Sequence, residues 1–264
     1  MVLGNIDETA FMTAAELAER CGVSESSITR FSMTVGYPGY PEFQDGLQTL
    51  VKRKLTIVER LSLPPRREAD STLSAIMLRD IRSIQELMAD LEPETVGAAA
   101  SALREARHRY VIGIRSAAAL ATFLGFYLRL LVGPTTVVGA ESEDWTVSLF
   151  DISKDDAVVA LSFPRYGAWT VSAFEFASTR CGTAIAITDG YWSPLARDAD
   201  IVLTAPTSSG SFLESFVAPL SLINVLLLLI GTDGGTASKE RLSQMEELWT
   251  MTGALINAGG SPAA

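Results

Sequence analysis

Ala157-Val-Val-Ala-Leu-Ser-Phe-Pro-Arg-Tyr-Gly-Ala-Trp-Thr170 is an apolar run, a polar loop and the start of a helix. Residues 157–161 are apolar at every position, which marks a strand covered on both faces. Pro164 and Gly167 interrupt regular structure, and helical spacing returns from about 169 to 181. The same unit recurs outward. Residues 110–114 are a short apolar strand, followed by a helix over 116–131 carrying Leu120, Leu124 and Leu128. Strands are also expected at 135–138, 184–187 and 201–204. Apolar strands alternating with helices predict an α/β domain, a parallel five-stranded sheet flanked by helices and doubly wound. Two helices close the chain, 215–230 and about 236–256, and the tail 259–264 is expected to lack order. The run 216–230 is shorter than the roughly 20 apolar residues a membrane span needs. It reads as a fully buried core or interface helix.

Upstream, the chain reads as short helices. Thr13-Ala-Ala-Glu16 has capping-box spacing, and the helix it starts presents Leu17 and Ala18 and runs out at Cys21-Gly22. Ser24 is a suitable next N-cap. Residues 25–35 set Ile28, Phe31 and Val35 on one face before Gly36 stops the helix. Residues 40–57 are also helical in pattern, with Phe43, Leu47 and Leu50 on one face. Leu61-Ser-Leu-Pro-Pro-Arg-Arg is a break. The expected organisation is a small all-α domain at 1–62, a linker at 63–70 and the α/β domain at 71–264. A long helix at 71–91 follows the linker. Its stripe of Leu73, Met77, Ile81, Ile84, Met88 and Leu91 needs the next domain or a partner subunit to pack on.

Composition narrows the function. The chain has 264 residues, is 48% hydrophobic and has a net charge of −10. That excludes wholesale disorder and a uniformly basic nucleic-acid binder, but not a local basic patch. Two cysteines, Cys21 and Cys181, read as reduced thiols of a soluble cytoplasmic protein. A single histidine makes a zinc site or a Ser-His-Asp triad improbable, and no metal or cofactor is expected. The start of the chain has no signal-peptide pattern.

Two helices joined at Gly22-Val23 make a helix-turn-helix pattern, with 25–35 as the recognition helix. Its outward face offers Ser26, Ser27, Thr29 and Arg30, groups able to read base edges and phosphates. Thr13 and Ser24 at the helix starts, and Lys52 in the Lys52-Arg53-Lys54 cluster, complete the candidate DNA contacts. An αα-hairpin with no DNA role has the same spacing, and a solvated helix face explains the cluster equally well. Residues 1–62 hold six basic and eight acidic side chains, so tight DNA binding would require dimerisation.

Open α/β sheets bind ligands at the carboxyl ends of their strands, and here those ends are polar. One loop holds Arg115 and Ser116. A second holds Ser162, Arg165, Tyr166 and Thr170. A third holds Asp189, with Ser193 nearby. Hydroxyls and amides at helix starts, with an arginine beside them, suit an anionic polyol. Helix capping by Ser116 and Thr170 is the plainer role.

At this point the chain shows a resemblance. Phe11-Met-Thr-Ala-Ala-Glu-Leu-Ala-Glu-Arg-Cys-Gly-Val-Ser-Glu-Ser-Ser-Ile-Thr-Arg-Phe31 and Gly36-Tyr-Pro-Gly-Tyr-Pro-Glu-Phe43 resemble the N-terminal domain of RpiR-type bacterial transcriptional regulators. Val111-Ile-Gly-Ile-Arg-Ser-Ala-Ala-Ala-Leu-Ala121, Ala186-Ile-Thr-Asp-Gly-Tyr-Trp-Ser-Pro-Leu-Ala196 and Asp200-Ile-Val-Leu203 are similar to the sugar isomerase (SIS) domain of that family. The resemblance implies an operator-binding domain joined to a domain that senses a phosphosugar or related metabolite such as a sugar acid, in a homodimer or tetramer. It also marks three departures. Ten residues precede Phe11 where the family has a further helix, so the first helix is expected to be missing. Ser32-Met-Thr34 stand where basic residues usually follow the Arg-Phe pair. The family's Ser-x-Ser-Gly-x-Thr loop is longer here, from Ser162 to Thr170. Ser116, Ser162 and Thr170 carry over by position. Arg115 and Arg165 do not, and they are expected to shift preference towards a carboxylated or unphosphorylated ligand.

The leading reading is a ligand-responsive transcription factor. The alternative is an aldose–ketose isomerase on the same SIS fold, with Glu214 as general base. The helix-turn-helix favours the regulator, and His108 lies away from the strand carboxyl ends. A third reading is a regulator whose DNA-binding half has decayed.

Overall fold

The computed structural model describes residues 6–54, 56–62, 73–139, 144–207 and 213–254. The chain divides into two compact units, Met1–Ser71 with Ser208–Glu214, and Thr72–Thr207 with Ser215–Ala264.

The first unit holds α1 (Ile6–Thr9), α2 (Ala14–Cys21), α3 (Glu25–Thr34), α4 (Tyr40–Lys54) and α5 (Ile57–Ser62). Thr13 and Glu16 form the full capping box at α2, and Gly22 ends that helix at φ 68°, a left-handed conformation that favours glycine. Leu17, Ala18, Ile28, Phe43, Leu47 and Val51 make the core, with Tyr40. Gln48 Nε2 donates to Ala10 O at 2.9 Å and Tyr40 Oη to Met12 O at 2.7 Å, so α4 holds the chain that enters α2. Among the described residues one helical turn, α1, precedes the buried Ala10.

Two sequence expectations in this unit need correction. Ile28 and Ser32, not Ile28, Phe31 and Val35, form the packed ridge of α3. The Ser32 hydroxyl donates to Ile28 O at 3.0 Å, which removes the penalty of burying it, and its small size admits a close neighbour. Phe31 is left partly exposed, meeting Phe43 edge-on. The helix expected over 40–57 ends at Lys54, and α5 restarts with Thr56 and Glu59 as its own cap pair. The Leu50 side chain and the expected linker 63–70 lie outside the described residues; Val51 supplies the buried apolar group.

The second unit opens with α6 (Leu73–Asp90) and α7 (Pro93–Glu105). Then come β1 (Arg109–Ile112), a 3-10 turn (Arg115–Ala117), α8 (Ala118–Leu131), β2 (Thr135–Val138), α9 (Trp145–Ser148), β3 (Ala157–Leu161) and α10 (Ala168–Ser178). Next are β4 (Thr183–Thr188), a 3-10 turn (Ala196–Asp198), β5 (Ile201–Thr204), α11 (Val217–Asp233) and α12 (Gly235–Thr252). The five strands pair in parallel in the order β2-β1-β3-β4-β5. Alternate residues feed two cores. Val111, Val159, Leu161, Ile185 and Ile187 pack under α7, α8 and α11. Ile112, Val158, Ala160 and Ala186 pack under α10 and the chain around α9. The sheet is thus covered on both faces, as continuous apolar strands require.

Two apolar helices divide their side chains between core and surface. On α6 the buried positions are Ser83 and Leu87, while Leu73, Met77, Ile81 and Met88 of the expected stripe are exposed. The helix meets α11 through its other edge, where Ser215 Oγ donates to Asp80 at 2.6 Å. The helix read as a core or interface helix, α11, buries Leu222, Ile223, Leu226 and Ile230 and exposes Leu228. No single helix among the described residues is long and apolar enough to cross a membrane.

Candidate functional site

In the strand order the chain leaves β1 for the edge strand β2 and returns beyond it to β3, so the reversal falls between β1 and β3. Their carboxyl ends diverge there into two loops, and such a switch point is where open α/β sheets hold ligands. The loops carry Arg115 and Ser116 on one side, and Ser162, Arg165, Tyr166 and Thr170 on the other.

The two loops touch. A Cβ on Gly167 would stand 3.0 Å from Ile114 Cδ1, which would have to give by a few tenths of an ångström, and in ordinary contact, 3.5 Å, with Thr170 Oγ1. Gly167 is the N-cap of α10 and no side chain caps that helix. Its first amides therefore remain available to an anion. Thr170 is 1% exposed and Ser162 5%, and neither hydroxyl has a hydrogen-bond partner among the described residues. Buried hydroxyls without partners are costly in a finished core. Here Thr170 lies in the first turn of α10 and Ser162 follows directly on β3. The capping role considered for Thr170 and Ser116 is corrected: Thr170 lies inside the first turn of α10, and Ser116 is an exposed member of the 3-10 turn ahead of α8.

Arg115 (φ 56°) and Arg165 (φ 64°) are the non-glycine residues with positive φ among the described residues. Left-handed backbone at a side-chain-bearing residue costs of the order of 1–3 kcal/mol and clusters at functional sites. Sequence gives no signal for it, since glycine is the usual marker of that conformation.

The third loop is tied to the second. Tyr166 Oη donates to Asp189 Oδ1 at 2.6 Å, and Trp192 Nε1 donates to Asp189 Oδ2 at 3.1 Å. Thr188 Oγ1 lies 2.7 Å from Ser162 O and 2.8 Å from Ser193 Oγ. Tyr166 and Asp189, expected to contact a ligand, thus brace the loops against each other. Trp192, missed in the sequence, lies over Gly190, where a Cβ would fall 2.4 Å from its ring. Glu214, the general base of the isomerase alternative, falls in the first unit. His108 precedes β1 at its amino end, where its ring nitrogen lies 2.9 Å from Thr136 Oγ1 and burial lowers its pKa. It is remote along the strand from the loops.

In the first unit, α2 and α3 form the helix-turn-helix pair. Thr13 is engaged with Glu16 in the cap. Ser24 lies at the N-cap position of α3, and its Oγ lies 2.8 Å from Ser26 Oγ and 2.9 Å from Ser27 Oγ instead of capping. Thr29 Oγ1 donates to Glu25 O at 3.2 Å. Arg30 is exposed and has no side-chain partner among the described residues. The Lys52 side chain lies outside the described residues.

Comparison with known proteins agrees with this division. Residues 1–53 match the helix-turn-helix domain of the rpiR family, and residues 102–229 match the SIS domain. The sugar isomerase domain of an RpiR transcription factor from Sphaerobacter thermophilus is 30% identical, with a TM-score of 0.63, covering 66% of this chain and 97% of that one. The chain belongs to the RpiR family. An HTH-type transcriptional regulator of Clostridium perfringens is 22% identical over 97% of this chain and 91% of its own length. The Vibrio vulnificus NanR protein, solved in complex with ManNAc-6P, has the same fold, with 19% identity and a TM-score of 0.61, covering 97% of this chain and 91% of that one. This RpiR-family chain is therefore a transcriptional regulator with helix-turn-helix and SIS domains, and it is not an enzyme.

Proposed function

We propose that this regulator binds operator DNA through α3 and senses a phosphosugar or related anionic polyol, such as a sugar acid, at the β1 and β3 loops. The observation that carries the effector reading is the pair of buried, unpartnered hydroxyls in one strand-to-helix loop, Ser162 at the end of β3 and Thr170 in the uncapped first turn of α10. Amides at a helix start and hydroxyls beside them complement an anion without a metal or cofactor. The NanR complex with ManNAc-6P supports the reading by likeness of fold. Ser26, Ser27, Thr29 and Arg30 supply the DNA-facing groups, Thr13 and Ser24 add hydroxyls at the helix starts, and Lys52 adds a phosphate contact. The protein acts in the cytoplasm as a homodimer or tetramer, with all-α domain 1–62, linker 63–70 and effector domain 71–264. A thermal-shift screen of sugar phosphates and sugar acids, followed by titration of promoter fragments with and without the hit, tests the reading. A ligand that raises Tm and changes DNA affinity supports it. A Tm unmoved by every anionic polyol overturns the effector assignment.

A further inference from the structure

Next to the buried Ser162, the same loop places Phe163, whose ring centroid lies 5.2 Å from that of Phe216. Phe216 is the N-cap residue of α11, and the residue before it carries a hydroxyl with two engagements. Ser215 Oγ accepts from Val217 N at 3.4 Å and donates to Asp80 Oδ1 on α6 at 2.6 Å. The Ser215 amide donates to Thr207 O at 3.0 Å, which fixes the backbone there. Two contacts thus lead from the β3 loop to α6, first ring against ring, then hydroxyl to carboxylate. By sequence, α6 is the first helix after the chain leaves the first unit. Its buried residues, Ser83 and Leu87, come after Asp80, so the Ser215 bond fastens the half of the helix nearer that chain. The Ser162 carbonyl is itself held by Thr188 Oγ1 at 2.7 Å. A ligand that engages the unpartnered Ser162 hydroxyl therefore pulls on a loop anchored at one point, and the adjoining Phe163 ring passes the displacement on, because a close-packed interior transmits strain.

Resting on the effector reading above, we infer that the Ser215–Asp80 bond is the coupling contact of this regulator. Occupancy of the β3 loop reaches it through Phe163 and Phe216, and the bond, made or released, sets how α6 is held. Asp80 is then a positioning residue that touches neither effector nor DNA. Removing its carboxylate separates the two binding functions without weakening either, as expected of a two-state contact that both sites bias.

The test uses the full chain and has two arms. In the first, hydrogen exchange over residues 73–90 is measured without ligand in the parent, Asp80→Ala, Phe163→Leu and the double variant. Each single substitution should speed exchange of α6 at least about threefold, because local opening follows the contacts that hold the segment. The double variant should exchange no faster than Asp80→Ala, since both changes act through one contact. Asp80→Asn keeps an acceptor oxygen for the Ser215 hydroxyl and should exchange like the parent. If the two single effects multiply, or Asp80→Asn behaves like Asp80→Ala, the ring contact and the bond are independent packing and only this inference falls. The second arm titrates promoter fragments in the presence and absence of three probes, ManNAc-6P, glucose 6-phosphate and gluconate. A probe that binds the parent should shift its DNA Kd by at least about fivefold, the lower end of allosteric couplings. Asp80→Ala should keep probe affinity and unliganded DNA affinity within about twofold and lose that shift. A variant that retains the full shift overturns the coupling role and leaves the effector reading standing. If none of the three probes binds the parent, the effector reading falls and this inference with it.

Discussion

Arg30 is the exposed cation of the recognition helix, on a helix whose other outward polar groups are short hydroxyls partly engaged with their own backbone or with one another. Arg30→Ala should abolish discrimination between operator and random DNA while leaving stability within about 0.5 kcal/mol, as for a surface substitution. Lys52→Ala should instead weaken all sequences alike and lower the salt slope by about one. Titration of operator and scrambled fragments at several salt concentrations checks both. Asp156 is a different kind of residue, buried in a loop of the second unit. Burial alone would raise its pKa, but hydrogen bonds from Arg107 and from the Ser153 amide and hydroxyl outweigh that and hold the carboxyl below its ordinary value. A folded pKa below the unfolded one contributes stability that is present above the ordinary carboxylate value of about 4 and is lost as pH falls through the lowered value. Asp156→Asn should therefore melt lower than the parent at neutral pH, with a difference that shrinks below about pH 4. Thermal melts from pH 3 to pH 7 check it. Cys181 is inert by comparison: burial, reinforced by the Asp200 charge, pushes its thiol up to about 11.

Among the elements, β1 begins with an unusual joint. Arg109 is 3% exposed, and its guanidinium donates to Leu103 O at 2.6 Å, Arg104 O at 2.8 Å and Val132 O at 3.0 Å. One cation thus satisfies carbonyls at the ends of both α7 and α8, where the helix dipoles are negative. Arg109→Met keeps much of the volume and strands these carbonyls, so it should cost about 3 kcal/mol, read as a lower midpoint in urea with an unchanged slope. This joint is illegible in the sequence, where nothing marks Arg109 as reaching the ends of two helices. The signals of α7 itself are present: Pro93 in the first turn, then Val96, Ala99, Ala100 and Leu103 on one face. The strands, by contrast, were legible to within one or two residues, since a buried parallel strand admits little but apolar side chains. Helix faces were harder. On α3 and α6 the buried ridge runs through Ser32 and Ser83, residues whose polarity hides them from an apolar pattern. At the strand-end loops the residue types are readable, but the left-handed backbone of Arg115 and Arg165 is not, because only chain geometry reports it.

For the whole molecule, the decisive quantity is what the second unit leaves uncovered. Leu73 is 80% exposed, Met77 64% and Met88 72%, at helical spacings along α6, and Leu228 is 65% exposed on α11, against which α6 packs. A row of large apolar side chains on a long helix is a stable surface only when something covers it. A second copy of the chain is the economical occupant, because one patch then covers itself about a twofold axis. Dimerisation also answers the charge problem of the first unit, whose acidic side chains outnumber its basic ones. Two weakly held α3 helices on two half-sites act as one ligand of high effective concentration. Light scattering should therefore give at least a dimer at micromolar concentration. Met77→Glu sets a charge on the exposed row without touching the core, so it should release monomers that keep the parent's helical signal. The monomers should bind the operator far more weakly, while effector affinity stays unchanged, since the strand-end loops lie within one copy. A parent that scatters as a monomer, or a Met77→Glu variant that remains dimeric, would move the interface away from α6.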